Sequence, residues 1–176
     1  TISQEIGQGG YLDSLITSLI NQPTSESIHA LVDFAIYLYK EEKYHGTAYI
    51  LEPLIQPSHE NFLNKSILDI ILLAASSYQK IGKNKRALKL LKKSQKHLKK
   101  LQEFERTLDV FSFLGRIYMN LGELEKAEDY FLEAYSSKEK IAGGPWEPKL
   151  FEDFGKLAAK QKEYKKALDY FKKQNC

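Results

Sequence analysis

The chain has 176 residues, 43% hydrophobic and 28% charged, a makeup that supports one sizeable core and excludes a disordered or low-complexity protein. Its 26 basic and 23 acidic residues leave a net charge of +3. The only cysteine is Cys176, which excludes a disulfide framework, a CxxC pair and a cysteine-based metal cluster. No apolar run approaches the roughly 20 residues needed to cross a bilayer, and TISQEIGQGG lacks the basic-then-apolar order of a signal peptide. A cytoplasmic protein is the simplest reading. The chain opens at Thr1 and stops just after FKKQNC, which points to a piece of something longer.

Along the chain, the first strong helical signal is YLDSLITSLIN, Tyr11 to Asn21, with Leu12, Leu15, Ile16, Leu19 and Ile20 on one stripe. It reads as an N-terminal cap or the second helix of a preceding repeat, within a lead segment of residues 1–26. From there the sequence returns to itself every 40 residues, and a period of that size decides the architecture. The stretch FSFLGRIYMNLGELEKAEDYFLEA carries Leu114, Gly115, Tyr118, Gly122, Ala127, Phe131 and Ala134. One period earlier stand Ala74, Ala75, Tyr78, Gly82, Ala87, Leu91 and Ser94; one period later stand Phe154, Gly155, Ala158, Lys162, Ala167, Phe171 and Gln174. A further step back gives Phe34, Ala35, Leu38, Glu42, Thr47, Leu51 and Leu54, a degenerate copy in which Thr47 replaces an alanine. The copies span about 28–66, 67–106, 107–146 and 147–176.

Each copy shows two helical periodicities around a short polar break such as KIGKNK, NLGELE or KQKEYK, so each is a helical hairpin. Ala35, Ala75, Gly115 and Gly155 let the two helices approach, as do Ala87, Ala127 and Ala167 from the second helix. Leu51, Leu91, Phe131 and Phe171 fill the layer between hairpins. One hairpin cannot cover its own apolar face, so the copies must stack. Pro53 is expected to kink or end the second helix of the first copy.

These positions resemble the tetratricopeptide-repeat family over residues 27–176. The resemblance implies an all-α, right-handed superhelical solenoid of about four hairpins. It also implies a scaffold or adaptor without catalysis, cofactor or metal, which binds a peptide or helix of a partner protein in its concave groove. The 40-residue period exceeds the family's usual repeat of about 34 and is that of subgroups such as the kinesin light chains. Two alternatives stand beside this: a regulatory domain that senses a short peptide, and an accessory domain that binds nucleic acid or an anionic surface.

Little in the chain looks catalytic. His29, His45, His59 and His97 form no metal-binding spacing, and Gly9-Gly10 and Gly143-Gly144 lack the context of a phosphate loop and read as flexible joints. Neighbouring carboxylates, Glu128 with Asp129 and Glu152 with Asp153, point about 100° apart on a helix and suit solvation. Trp146, in the loop before the last hairpin, is expected to fold over apolar surface rather than to anchor an interface.

The run from Lys83 to Lys100, KNKRALKLLKKSQKHLKK, segregates Ala87, Leu90, Leu91, Leu98 and Leu101 from Lys85, Arg86, Lys89, Lys92, Lys93, Lys96, Lys99 and Lys100. The repeat register puts these cations on the convex side. They form either a solvated face or a surface for an acidic protein, an anionic membrane or nucleic acid, the last favoured less because no aromatic residue interleaves with the lysines.

By the family's pattern, the first helix of each hairpin lines the inner groove. The corresponding residues are His29, Val32, Ile36, Tyr39 and Lys40, then Asp69, Leu72, Ser76, Gln79 and Lys80. The third hairpin gives Asp109, Ser112, Arg116, Met119 and Asn120, and the fourth Lys149, Glu152, Lys156, Ala159 and Lys160. The groove is thus expected to be apolar early and basic late, so that a protein or peptide ligand with acidic residues suits it. Chaperone-binding relatives clamp a C-terminal carboxylate with Lys, Arg and Asn at positions held here by Val32, Ile36, Leu73, Asp109 and Phe113. A peptide ending in EEVD is therefore expected to show no binding in a fluorescence-polarisation titration; micromolar binding would refute that assignment.

Overall fold

The backbone makes the same left-handed turn four times, 40 residues apart. In the computed structural model, which describes residues 11–22, 24–55, 67–101, 104–137 and 146–174, φ is positive at Glu42 (58°), Gly82 (76°), Gly122 (80°) and Lys162 (65°). At each, the amide one residue later bonds back five residues: Lys43 to Leu38 (2.8 Å), Lys83 to Tyr78 (2.8 Å), Glu123 to Tyr118 (3.0 Å) and Glu163 to Ala158 (2.9 Å). This is the Schellman closure of a helix C-terminus, which satisfies carbonyls the helix leaves open. The carbonyls of Lys43, Lys83, Glu123 and Glu163 then accept the first bond of the next helix, from Thr47, Ala87, Ala127 and Ala167. One residue therefore ends the first helix and starts the second.

Among the described residues there are nine helices: α1 (Tyr11–Asn21), α2 (Ser25–Lys40), α3 (Tyr44–Leu54), α4 (Ile67–Lys80), α5 (Asn84–Leu101), α6 (Phe104–Asn120), α7 (Leu124–Ser137), α8 (Trp146–Lys160) and α9 (Tyr164–Gln174). None is long and apolar enough to cross a membrane. The fold is all-α. Two compact units divide the chain at Ser94 and Gln95. In the first, α2 packs on α3, and α3 on α4, with α1 against both α2 and α3. In the second, α6 packs on α7, α8 on α9, and α8 also on α7.

A capping box starts α2, with the Thr24 hydroxyl accepting from the Ser27 amide and the Ser27 hydroxyl from the Thr24 amide. Helix α3 ends one residue after Pro53, whose ring removes a backbone donor. The α1 stripe is seen through Ile16, which is buried, and Leu19, which is half-buried; the side chains of Leu12, Leu15, Ile20 and His97 lie outside the described residues, as do both glycine pairs and His59. Trp146 opens α8 rather than preceding it, and its side chain also lies outside the described residues.

The small and large positions interlock as the repeat requires. Ala35, Ala75, Leu51, Leu91 and Phe131 are fully buried. A Cβ on Gly115 would lie 2.6 Å from Cδ1 of Phe131, and one on Gly155 would lie 2.6 Å from Cε1 of Phe171, distances real carbons do not adopt. Thr47 occupies an alanine slot without an orphaned hydroxyl, since its Oγ1 donates to the carbonyls of Lys43 (3.2 Å) and Ala35 (3.4 Å). In the second unit aromatic rings fill the space around this interlock, with Phe131 edge-on to Phe154 at 5.7 Å and Phe154 stacked on Tyr170 at 5.2 Å.

The left-handed position is met by glycine in the second and third copies but by Glu42 and Lys162 in the first and fourth. A side chain there costs about 1–2 kcal/mol, offset in part by the entropy a glycine loses on folding. Glu42→Gly and Lys162→Gly should each raise unfolding stability by up to about 1 kcal/mol in urea denaturation, while Gly122→Ala lowers it by about the same amount.

Candidate ligand-binding face

Within each unit the first helices of successive hairpins lie side by side and are tied by a bond between residues 37 positions apart. In the first unit the Tyr39 hydroxyl meets Ser76 Oγ at 2.7 Å. In the second, Arg116 Nη1 donates to Asp153 Oδ2 at 2.8 Å. These ties set the first helices of each unit beside one another.

On the first unit the first-helix face is mixed. Val32, Leu72 and Gln79 are half-buried, Lys40 and Lys80 are exposed, and Ile36 keeps 38% of its surface in solvent. Tyr44 stands edge-on to Tyr39 at 5.3 Å, and the Lys80 ammonium lies 5.9 Å from the Tyr44 ring. Tyr39, Ser76 and Lys80, all expected from the register, therefore gather around Tyr44, which that register does not single out.

On the second unit the face is ionic. Arg116 leans on the Phe113 ring and holds Asp153, while Lys156 bonds Glu152 and Arg106 lies 3.6 Å from Asp109. Asn120, Lys156 and Lys160 are exposed, whereas Ser112 and Met119 are buried. The expected solvation of Asp153 is overturned: only 3% of the residue is exposed, because it faces α6 and the guanidinium there. Burial pushes its carboxyl above the usual carboxylate range, outweighing Arg116; Glu152 is held below that range by the hydrogen bond from Lys156. Asp153 was missed because neighbours in sequence conceal a partner 37 residues away. The signal was available in the repeat register, as opposite charges at Arg116 and Asp153.

The basic run behaves differently from its composition. Lys85, Lys89 and Lys92 are exposed, but Arg86 reaches the Tyr78 hydroxyl (3.3 Å) and Glu52 (3.5 Å), and Lys93 Nζ donates to the Ile55 carbonyl at 2.5 Å. Tyr78 also donates to Glu52. The side chains of Lys96, Lys99 and Lys100 lie outside the described residues. Glu128, expected to be solvated, receives Gln161 Nε2 at 3.0 Å and lies 3.8 Å from Lys166. Among the described residues no three His, Cys, Asp or Glu side chains are placed to hold a metal ion.

Comparison with known proteins agrees with the turn geometry and the interlock. Residues 106–173 match the tetratricopeptide repeat model. Over those residues the chain has a tetratricopeptide-repeat fold. The crystal structure of BtubC (BKLC) from P. vanneervenii superposes with a TM-score of 0.75 at 14% identity, over 98% of this chain and 74% of that one. The crystal structure of MamA gives 0.62 at 16% identity, over 90% and 82%. At such identities the likeness concerns the fold alone. No curated protein matches the sequence.

The tie between α6 and α8 has a pH signature. Because the folded pKa of Asp153 is raised, the folded chain still holds a proton at pH values where the unfolded chain has released it, so this residue's contribution to stability falls as pH rises through that window. Asp153→Asn has no charge to desolvate and still accepts from Arg116. Its stability relative to wild type should rise between about pH 4, the unfolded value, and neutrality in urea melts. A difference that is flat with pH would show that burial does not govern the pair.

Proposed function

We propose that the chain is a non-catalytic scaffold or adaptor, whose first-helix faces hold an extended or helical segment of a partner protein. Acidic residues of that segment are met by Arg116, Lys156 and Lys160. The observation that carries this reading is the pair of 37-residue ties, which set neighbouring first helices beside one another. Among the described side chains of α6 and α8 there are five cations, Arg106, Arg116, Lys149, Lys156 and Lys160, against three carboxylates, Asp109, Glu152 and Asp153. Such a balance favours an acidic ligand by steering and by orientation more than by raw affinity.

The two ion pairs have different parts in this. Lys156 and Glu152 keep 50% and 37% of their side-chain surface in solvent, so their bond is worth about 0–1 kcal/mol and gives way to a ligand carboxylate at little cost. Arg116 is fixed by buried Asp153 and presents its remaining N–H groups in a set direction. On the first unit, exposed Ile36 beside Val32 and Leu72 suits an apolar side chain, and Tyr39, Ser76 and Gln79 suit main-chain groups.

The reading is tested by affinity capture from the source cells with wild-type protein and with Lys156→Glu/Lys160→Glu, both exposed positions that leave the core intact. The double variant should lose the captured partners by about tenfold in measured affinity, a coupling of about 1.4 kcal/mol. An added Arg116→Gln should deepen the loss, and added salt should weaken wild-type binding. Equal capture by wild type and double variant would remove the acidic-ligand reading.

A further inference from the structure

Between α6 and α8, on the same face, lies a cavity of about 40 Å³ lined by Leu108, Asp109, Ser112, Arg116, Lys149 and Leu150. A water molecule occupies roughly 10–15 Å³ on this measure, so the space admits a polar group of a few heavy atoms. Ser112 is 5% exposed, and its buried hydroxyl has no hydrogen-bond partner among the described residues. A buried hydroxyl left unpaired is a costly state that a native structure has reason to keep only where something supplies the partner. Leu108 and Leu150, both buried, give two of the lining residues an aliphatic character.

We propose that this cavity is an anchor subsite for a carboxamide side chain, an asparagine or a glutamine, of the bound segment. The proposal rests on the reading of this face as the binding surface. The choice of group follows from the charges around it. A carboxylate entering here meets Asp109, and an ammonium meets Arg116 and Lys149. Asp153 already pairs with Arg116, Arg106 stands 3.6 Å from Asp109, and the charge of Lys149 acts on Asp109 in the same lining, so an entering charge of either sign meets a like charge together with its counter-ion. A carboxamide brings two N–H donors and one carbonyl acceptor without net charge. Its N–H groups suit Asp109, and its oxygen suits the Lys149 ammonium or the Ser112 hydroxyl, which turns about a single bond. Arg106 stands 3.6 Å from one Asp109 oxygen, and a carboxylate has about four acceptor positions, so N–H groups of the ligand can share it. A site whose polar groups go unpaired without the right ligand discriminates strongly against analogues that lack the matching groups.

The test is an NMR titration of the full chain, at constant ionic strength, with acetamide, acetate and methylammonium as separate probes. Acetamide should give saturable shifts confined to residues 108–116 and 149–150, at lower concentration than the two ions. Ser112→Ala should weaken acetamide several-fold. Asp109→Asn, at an exposed rim position, should reverse the preference so that acetate gains on acetamide. Absence of any saturable shift would overturn the proposal and leave the cavity to ordered water. Acetate or methylammonium leading in the wild type would overturn it in favour of a charged anchor. None of the three probes needs a partner protein, so failure of the charge-reversal capture leaves this outcome separately readable.

Discussion

The fold depends on how closely two helices of a hairpin can approach. At Gly115 the approach leaves no room for even one carbon, because the Phe131 ring lies where a Cβ would be. Burying that ring contributes about 1.5–3 kcal/mol, and a close-packed interior resists adding volume at the same point. The fourth hairpin repeats the arrangement with Gly155 and Phe171, while the first two have smaller residues at these positions, Ala35 with Leu51 and Ala75 with Leu91, all fully buried. Where the slot shrinks to glycine the facing residue grows to phenylalanine. The summed volume across the slot is the constrained quantity, and the individual residues are free to trade within it.

That trade explains why the architecture was legible in the sequence. A 40-residue period carried by small residues, large residues and one turn position is a statement about spacing, and spacing survives substitution. The turn at Glu42 and Lys162 shows how far this goes. Neither residue favours a left-handed backbone, yet both adopt it, because Leu38–Lys43 and Ala158–Glu163 make the same closing bond as the glycine-bearing turns. Thr47 survives in an alanine slot for a related reason, with its hydroxyl absorbed by backbone carbonyls. Local preference is overridden where the surrounding contacts determine the geometry.

The candidate face was legible only in outline. The register located Tyr39, Ser76, Arg116, Lys156 and Lys160 on first helices, but a register says which residues share a face and not which of them bond one another. Asp153 illustrates the gap, since its neighbour Glu152 reaches out to Lys156 while Asp153 turns inward to Arg116. Two adjacent carboxylates thus meet opposite environments, and their acidities are displaced in opposite directions from the ordinary value. Only the packing of α8 on α6 decides which is which.

The lysine-rich helix makes the same point about charge. Composition presents eight cations as one surface, but α5 uses two of them to hold the first unit together. Pro53 stops α3 early, and the end of a helix exposes carbonyl groups and negative partial charge. Lys93 supplies a cation and a donor at that end, bonding the Ile55 carbonyl. Arg86 does comparable work beside the linked pair Glu52 and Tyr78, where its charge opposes the effects that raise the Tyr78 hydroxyl. Replacing Lys93 therefore touches a helix terminus as well as a surface. Lys85 and Lys89, exposed on the same helix, are the positions where a change of charge reports on the surface with least disturbance of the fold.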